Sequence, residues 1–155
     1  MRSLNWFAIS AGIILGLIFL AAGLGKLLNP MESSVIFVFP EFLPNAVDRF
    51  IYQWLPYLEI IIGVLLITGI AARLVASLAL ALTVSLIASN SILLVQGFGD
   101  KPCGCFGEAE RWVQLRLSIA DALYIDIAML ILGVMVVLYY QGKFVNVYPW
   151  FLRRD

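Results

Sequence analysis

The sequence predicts an all-α integral membrane protein, folded as an antiparallel four-helix bundle in a single domain over residues 1–155. Of its 155 residues, 63% are apolar and 13% are charged, whereas soluble domains contain roughly 45–50% apolar and about 25% charged residues. The apolar residues are concentrated in four runs. Three of these runs are near or above the roughly 20 helical residues that cross about 30 Å of hydrocarbon.

The first run extends from Trp6 to Leu24, and Ser10 is its only polar residue. A secretory signal peptide is the rival interpretation, because a basic residue precedes the run and small residues end it. However, the run of 19 residues is longer than the roughly 7–15 residues of a signal-peptide core. We therefore expect a transmembrane helix, in which the GxxxG motif of Gly12 and Gly16 predicts close helix packing.

The second run extends from about Leu55 to Gly69, and we expect Pro56 in its first helical turn. A separate short surface helix is expected over residues 46–54. The third run covers about residues 74–95. Because so few residues separate the second and third runs, their helices are expected to form a tight antiparallel hairpin.

Serine residues occur in the third run and at the start of the fourth. The third run contains Ser77, Ser85 and Ser89, and we expect their hydroxyl groups to form hydrogen bonds between helices rather than to line a substrate path. The fourth run extends from Ser118 to about residue 140. At its start, Ser118 and Asp121 have the spacing of a capping box.

The basic residues predict the orientation in the membrane. With four spans, the termini share a side with the hairpin turn, and the loops 25–54 and 96–117 lie opposite. Basic residues are retained in the cytoplasm, and they are densest on the side of the termini. We therefore expect cytoplasmic termini and outward-facing loops. The basic residues are Arg2, Arg73, Lys143, Arg153 and Arg154 on the terminal side and Lys26, Arg49, Lys101, Arg111 and Arg116 on the loop side.

Charge and composition exclude several classes of function. Lys plus Arg and Asp plus Glu both number 10, so no basic excess is present to bind a nucleic-acid backbone. The chain has no histidine, which argues against zinc enzymes, Ser-His-Asp hydrolases and haem ligation. Two cysteines without histidine do not complete a four-coordinate site within one chain, so we expect no metal.

Cys103 and Cys105, separated by Gly104, are the candidate catalytic residues. A bridge between them would close a small strained ring, and strained exposed disulfides are typical of labile or catalytic pairs. The alternatives are a static structural bridge, two free thiols and a metal ligand pair. A bridge that encloses one residue removes little chain entropy, which argues against a purely structural bridge.

Three acids lie at or within the predicted membrane depth, where an ionisable group is costly and often functional. Asp121 is interpreted as a helix cap. Glu59 lies near the outer face and is expected to pair with Lys26, either as a structural ion pair or in a proton relay. Asp126 lies two turns into the fourth span, where it is either functional or the partner of a Ser or Asn in the third span. Lys26, Glu59 and Asp126 are therefore the candidate supporting charges.

Three segments carry a family resemblance. They are residues 19–27 followed by Pro30, the pair Leu58-Glu59 with Gly63, and Cys-Gly-Cys-Phe-Gly at 103–107. In this order they resemble the DoxX-like membrane family, and more narrowly its methylamine-utilisation MauE branch. The resemblance extends over about residues 10–130.

The resemblance implies a multi-pass protein of the bacterial cytoplasmic (inner) membrane that helps to form or maintain disulfides in an exported partner. We expect that partner to be a thioredoxin-like or disulfide-containing protein. It assigns the redox pair to Cys103 and Cys105 and the charged signature to Lys26 and Glu59. Quinone-coupled thiol oxidases generally use two cysteine pairs, and this chain has one. Electrons then pass either directly to a quinone or through a partner. The alternative function is a non-catalytic accessory subunit of a larger respiratory or photosynthetic membrane complex.

Overall fold

Four α-helices form the described part of the chain. The computed structural model describes residues 2–28, 45–97, 99 and 117–140, and no strand occurs within these ranges. The all-α prediction is therefore confirmed for this part of the chain. The helices are α1 (Arg2–Leu28), α2 (Asn45–Thr68), α3 (Ala72–Val95) and α4 (Ile119–Tyr139).

The helices pack as an antiparallel bundle in which α1 and α3 each contact α2 and α4. The backbones of α1 and α2 approach each other closely, because a Cβ atom on Gly16 would lie 2.7 Å from the carbonyl oxygen of Gly63. Gly12, the other glycine of the GxxxG motif, has more room, because its Cβ would lie 3.7 Å from Val136. The predicted close packing is therefore confirmed, and within the motif Gly16 is the residue that requires it.

Three helical segments are long and apolar enough to cross a membrane: Trp6–Leu28, Ala72–Val95 and Ile119–Tyr139. The apolar part of α2, Gln53–Thr68, is shorter and would span about 24 Å at 1.5 Å per residue. Since α2 packs along α1 in the same bundle, we describe the protein as a four-helix membrane bundle.

The boundary of α2 differs from the prediction. The helix begins at Asn45, so Pro56 lies in its interior rather than in its first turn. Residues 46–54 are the first part of α2 and not a separate surface helix. No glycine or proline interrupts residues 45–55, and proline is tolerated inside membrane helices when neighbouring groups accommodate it. α1 passes close to this part of α2, because a Cβ on Gly23 would lie 2.8 Å from the Pro56 carbonyl oxygen.

The two ends of the bundle are built differently. At the turn end, residues 69–71 join α2 to α3, with Gly69 and Ala71 at positive φ. Arg73 Nε donates to the Val137 carbonyl at 3.0 Å and ties α4 to this end. At the loop end, α1 and α3 finish and α2 and α4 begin, and the N–H of Ala120 donates to the Gly99 carbonyl at 3.5 Å.

The outer surface of the bundle is apolar. Large side chains such as Leu17, Ile61, Leu78 and Ile131 are about half exposed, which suits contact with lipid chains. Aromatic residues are exposed towards both ends, as in the interfacial belts of membrane proteins. They are Trp6, Phe7 and Tyr139 towards the turn end and Trp54, Tyr57 and Tyr124 towards the loop end.

Candidate functional site

Lys26 and Glu59 form a buried ion pair between α1 and α2. The Lys26 ammonium group donates a hydrogen bond to Glu59 Oε1, and the two side chains are only 3% and 2% exposed. The contact between them is the one that the sequence predicted. Glu59 Oε2 is also buried and has no hydrogen-bond partner within the described residues.

Asp126 and Asn90 form a second buried pair, between α4 and α3. The Asn90 side-chain amide donates to Asp126 Oδ2 at 2.8 Å, and both side chains are buried. Of the two interpretations that the sequence left open for Asp126, the structure shows the polar partner in the third span. A functional role for Asp126 stays a prediction.

A small cavity connects the two pairs. Lys26, Glu59 and Asp126 line it together with apolar side chains that include Phe19, Leu86 and Met129. Its volume is about 20 Å³, which is sufficient for one water molecule. Small-molecule sites usually have volumes of roughly 300–1,000 Å³, so this cavity does not fit the ring of a quinone.

Four buried polar residues lie close to the loop end of the bundle. We call them the polar cluster: Lys26, Glu59, Asn90 and Asp126. Lys26 is in the last turn of α1, and Asp126 is seven residues into α4. At 1.5 Å per residue, this places Asp126 about 10 Å from the start of its helix. The cluster is therefore inside the bundle but nearer to the long loops than to the hairpin turn.

Asp121 does not belong to the polar cluster. It is exposed, its N–H donates to Ser118 Oγ at 3.2 Å, and its carboxylate accepts from the Ser118 N–H at 3.1 Å. This reciprocal pair is a complete capping box at the start of α4. The interpretation of Asp121 as a helix cap is confirmed.

The interpretation of the α3 serines as bonds between helices is wrong for two of them. Ser77 Oγ donates to the carbonyl of Arg73, and Ser85 Oγ donates to that of Ala81. Each hydroxyl thus bonds a carbonyl four residues earlier in its own helix, which is the nearest acceptor in apolar surroundings. Asn90 supplies the bond between helices instead, because a longer side chain with amide donors reaches the facing helix.

Cys103 and Cys105 lie outside the described residues. The sequence places them between Gly99 and the start of α4. Their assignment as the redox pair stays a prediction.

The chain matches a known protein family. The family model described as methylamine utilisation protein MauE matches residues 4–140, a range that contains all four helices almost completely, the polar cluster and both cysteines. No curated protein and no solved structure matches the chain. The wider DoxX-like relationship stays a prediction.

Proposed function

Because the chain belongs to the MauE family of methylamine utilisation proteins, we propose that it is a membrane thiol–disulfide redox protein that assists disulfide formation in an exported partner. Cys103 and Cys105 are the proposed reactive pair. They are the only two cysteines of the chain, and one residue separates them. This spacing is the main observation that supports the proposal.

The position of Gly99, which precedes the two cysteines in the sequence, supports this role. The Gly99 carbonyl accepts a hydrogen bond from the Ala120 N–H at the loop end, and Leu93 packs with Ile119 and Ala122 next to it. Cys103 follows Gly99 by four residues, and an extended chain spans at most about 3.3–3.6 Å per residue. The backbone of Cys103 therefore stays within about 14 Å of the Gly99 backbone, close to the loop end of the bundle.

The proposed chemistry is thiol–disulfide exchange. A thiolate of the partner attacks the Cys103–Cys105 disulfide and forms a mixed disulfide, and the second partner thiolate then displaces this protein. The partner gains one disulfide, and this protein becomes a dithiol after taking up two electrons and two protons. Renewed oxidation needs an electron acceptor, for which a membrane quinone or a partner disulfide has suitable chemistry. Because the described cavity does not fit a quinone, we assign no quinone site.

We propose a bacterial inner-membrane location with cytoplasmic termini. Arg73 lies at the turn end, which is also the end of the amino terminus, and basic residues are retained on the cytoplasmic side. The loop end, with Cys103 and Cys105, then faces the oxidising compartment in which disulfides persist.

Single serine variants test the exchange. Cys103→Ser and Cys105→Ser each leave one thiol in the chain, so any mixed disulfide can be assigned to one sulfur. When the partner is supplied in its disulfide form, the remaining thiol can attack that disulfide, which is the reverse of the proposed exchange, and the other partner sulfur leaves as a thiolate. We expect one of the two variants to keep the resulting covalent adduct until dithiol reduction releases it. Both variants should stop disulfide formation in that partner while the helical circular dichroism stays that of the wild type.

The double variant Cys103→Ser/Cys105→Ser separates the two classes of function. If it restores the full cellular phenotype of a deletion strain and no adduct forms with either single variant, the redox proposal is wrong. An accessory subunit would behave in this way, because its assembly into a larger complex would not need the thiols.

A further inference from the structure

The polar cluster contains more acidic than basic groups. Two carboxyl groups, those of Glu59 and Asp126, and one ammonium group, that of Lys26, line the same buried cavity. We propose that the cluster is a proton-binding site, in which one proton is held on the Asp126 carboxyl group and a water molecule in the cavity links this group to Glu59. This site is independent of the cysteine chemistry proposed above.

The charge balance places the proton on Asp126. Lys26 contacts Glu59 directly, so those two groups neutralise each other. The hydrogen bond to Asp126 comes from the neutral amide of Asn90. Among the described residues, the titratable groups that face Asp126 from the packed helices are Lys26 of α1 and Glu59 of α2. From α3, Asn90 faces it, and an amide side chain does not titrate. An ionised Asp126 would therefore leave the cluster with one excess negative charge in an apolar interior, which is costly.

No other described cation compensates this excess. Apart from Lys26, the only basic side chain that the structure describes is Arg73, and it is bound to the Val137 carbonyl at the opposite end of the bundle. Protonation of Asp126 makes the cluster neutral without moving a helix.

We infer the water molecule from the unpaired oxygen of Glu59. Glu59 Oε2 is a buried acceptor without a partner among the described residues, and leaving such an atom unpaired costs free energy. The cavity beside it has room for one water molecule. A water molecule there donates a hydrogen bond to Glu59 Oε2. The same water molecule can accept a hydrogen bond from the protonated carboxyl group of Asp126.

Infrared spectroscopy of the protein in lipid nanodiscs tests the proposal. A protonated carboxylic acid has a C=O stretch that a carboxylate lacks. At neutral pH we expect this band in the wild type, and we expect it to shift when aspartate is labelled with ¹³C. Asp126→Asn should lose the band, whereas the matched control Asp121→Asn, which changes the exposed cap of the same helix, should keep it.

Two results would overturn the proposal. One is a wild-type spectrum at neutral pH in which no protonated carboxyl band shifts on aspartate labelling. The other is a band that survives in folded Asp126→Asn or disappears in Asp121→Asn. The labelled wild type decides the question if Asp126→Asn does not fold, because that measurement needs no substitution.

Discussion

At the scale of single residues, the buried ion pair of Lys26 and Glu59 constrains how the bundle interior packs. Each group alone would be a buried charge, and removing one partner of a buried ion pair costs about 3–5 kcal/mol. Removing both groups costs much less, because no charge is left uncompensated. The pair therefore restricts which α1–α2 packing is stable, since any rotation that separates the two groups exposes each to the apolar interior.

This argument predicts a non-additive response to substitution. Lys26→Met and Glu59→Gln should each lower the free energy of unfolding by about 3–5 kcal/mol, and the double variant should be more stable than either. Unfolding of the purified protein in mixed micelles measures these differences. Ser85→Ala, which changes an exposed hydroxyl bonded to its own helix, is the control and should stay within about 0.5 kcal/mol of the wild type. A double variant that loses the sum of the two single effects would contradict the account.

The sequence predicted the residues of the site better than their arrangement. Lys26 and Glu59 could be paired in advance, because each is costly alone and both lie near the same membrane boundary. The partner of Asp126 could be narrowed only to the polar residues of the third span. The cavity that joins the two pairs could not be predicted, because it depends on the rotation of all four helices about their axes.

At the scale of helices, the contact between α1 and α2 depends on glycine. Gly16→Ala would place a methyl group 2.7 Å from the carbonyl oxygen of Gly63, where neither backbone can yield without separating the helices. We expect a loss of about 1–3 kcal/mol in the free energy of unfolding.

Gly12→Ala is the matched control in the same GxxxG motif, because its methyl group would make ordinary contacts at 3.7 and 3.8 Å. It should be tolerated or should slightly stabilise the protein, since alanine favours helix over glycine. Equal destabilisation by the two substitutions, measured under the same unfolding conditions, would show that Gly16 has no special role.

The boundary of α2 shows the limit of local sequence signals. The sequence alone predicts that Pro56 lies in the first turn of a helix, because proline is well accommodated there. The structure continues the helix through it. A proline within a helix carries no local signal that separates it from a proline in a first turn, whereas the capping box of Ser118 and Asp121 is set by the residues next to the helix start and is confirmed.

At the scale of the whole molecule, orientation determines the compartment in which the cysteine pair works. Both termini are expected in the cytoplasm, so a reporter that is active only in the cytoplasm should be active when fused after Asp155. A fusion within residues 29–44, in the first long loop, should be inactive with the same reporter. Activity of the second fusion and inactivity of the first would reverse the topology and place Cys103 and Cys105 in a reducing compartment.

The central claim is that Cys103 and Cys105 form a reducible disulfide outside the membrane. Labelling of intact cells with a membrane-impermeant thiol reagent, before and after mild dithiol reduction, tests sidedness and redox state together. The account predicts no labelling before reduction and labelling of both cysteines afterwards, without permeabilising the inner membrane. Labelling of both thiols before reduction, or labelling only after the inner membrane is opened, would contradict it.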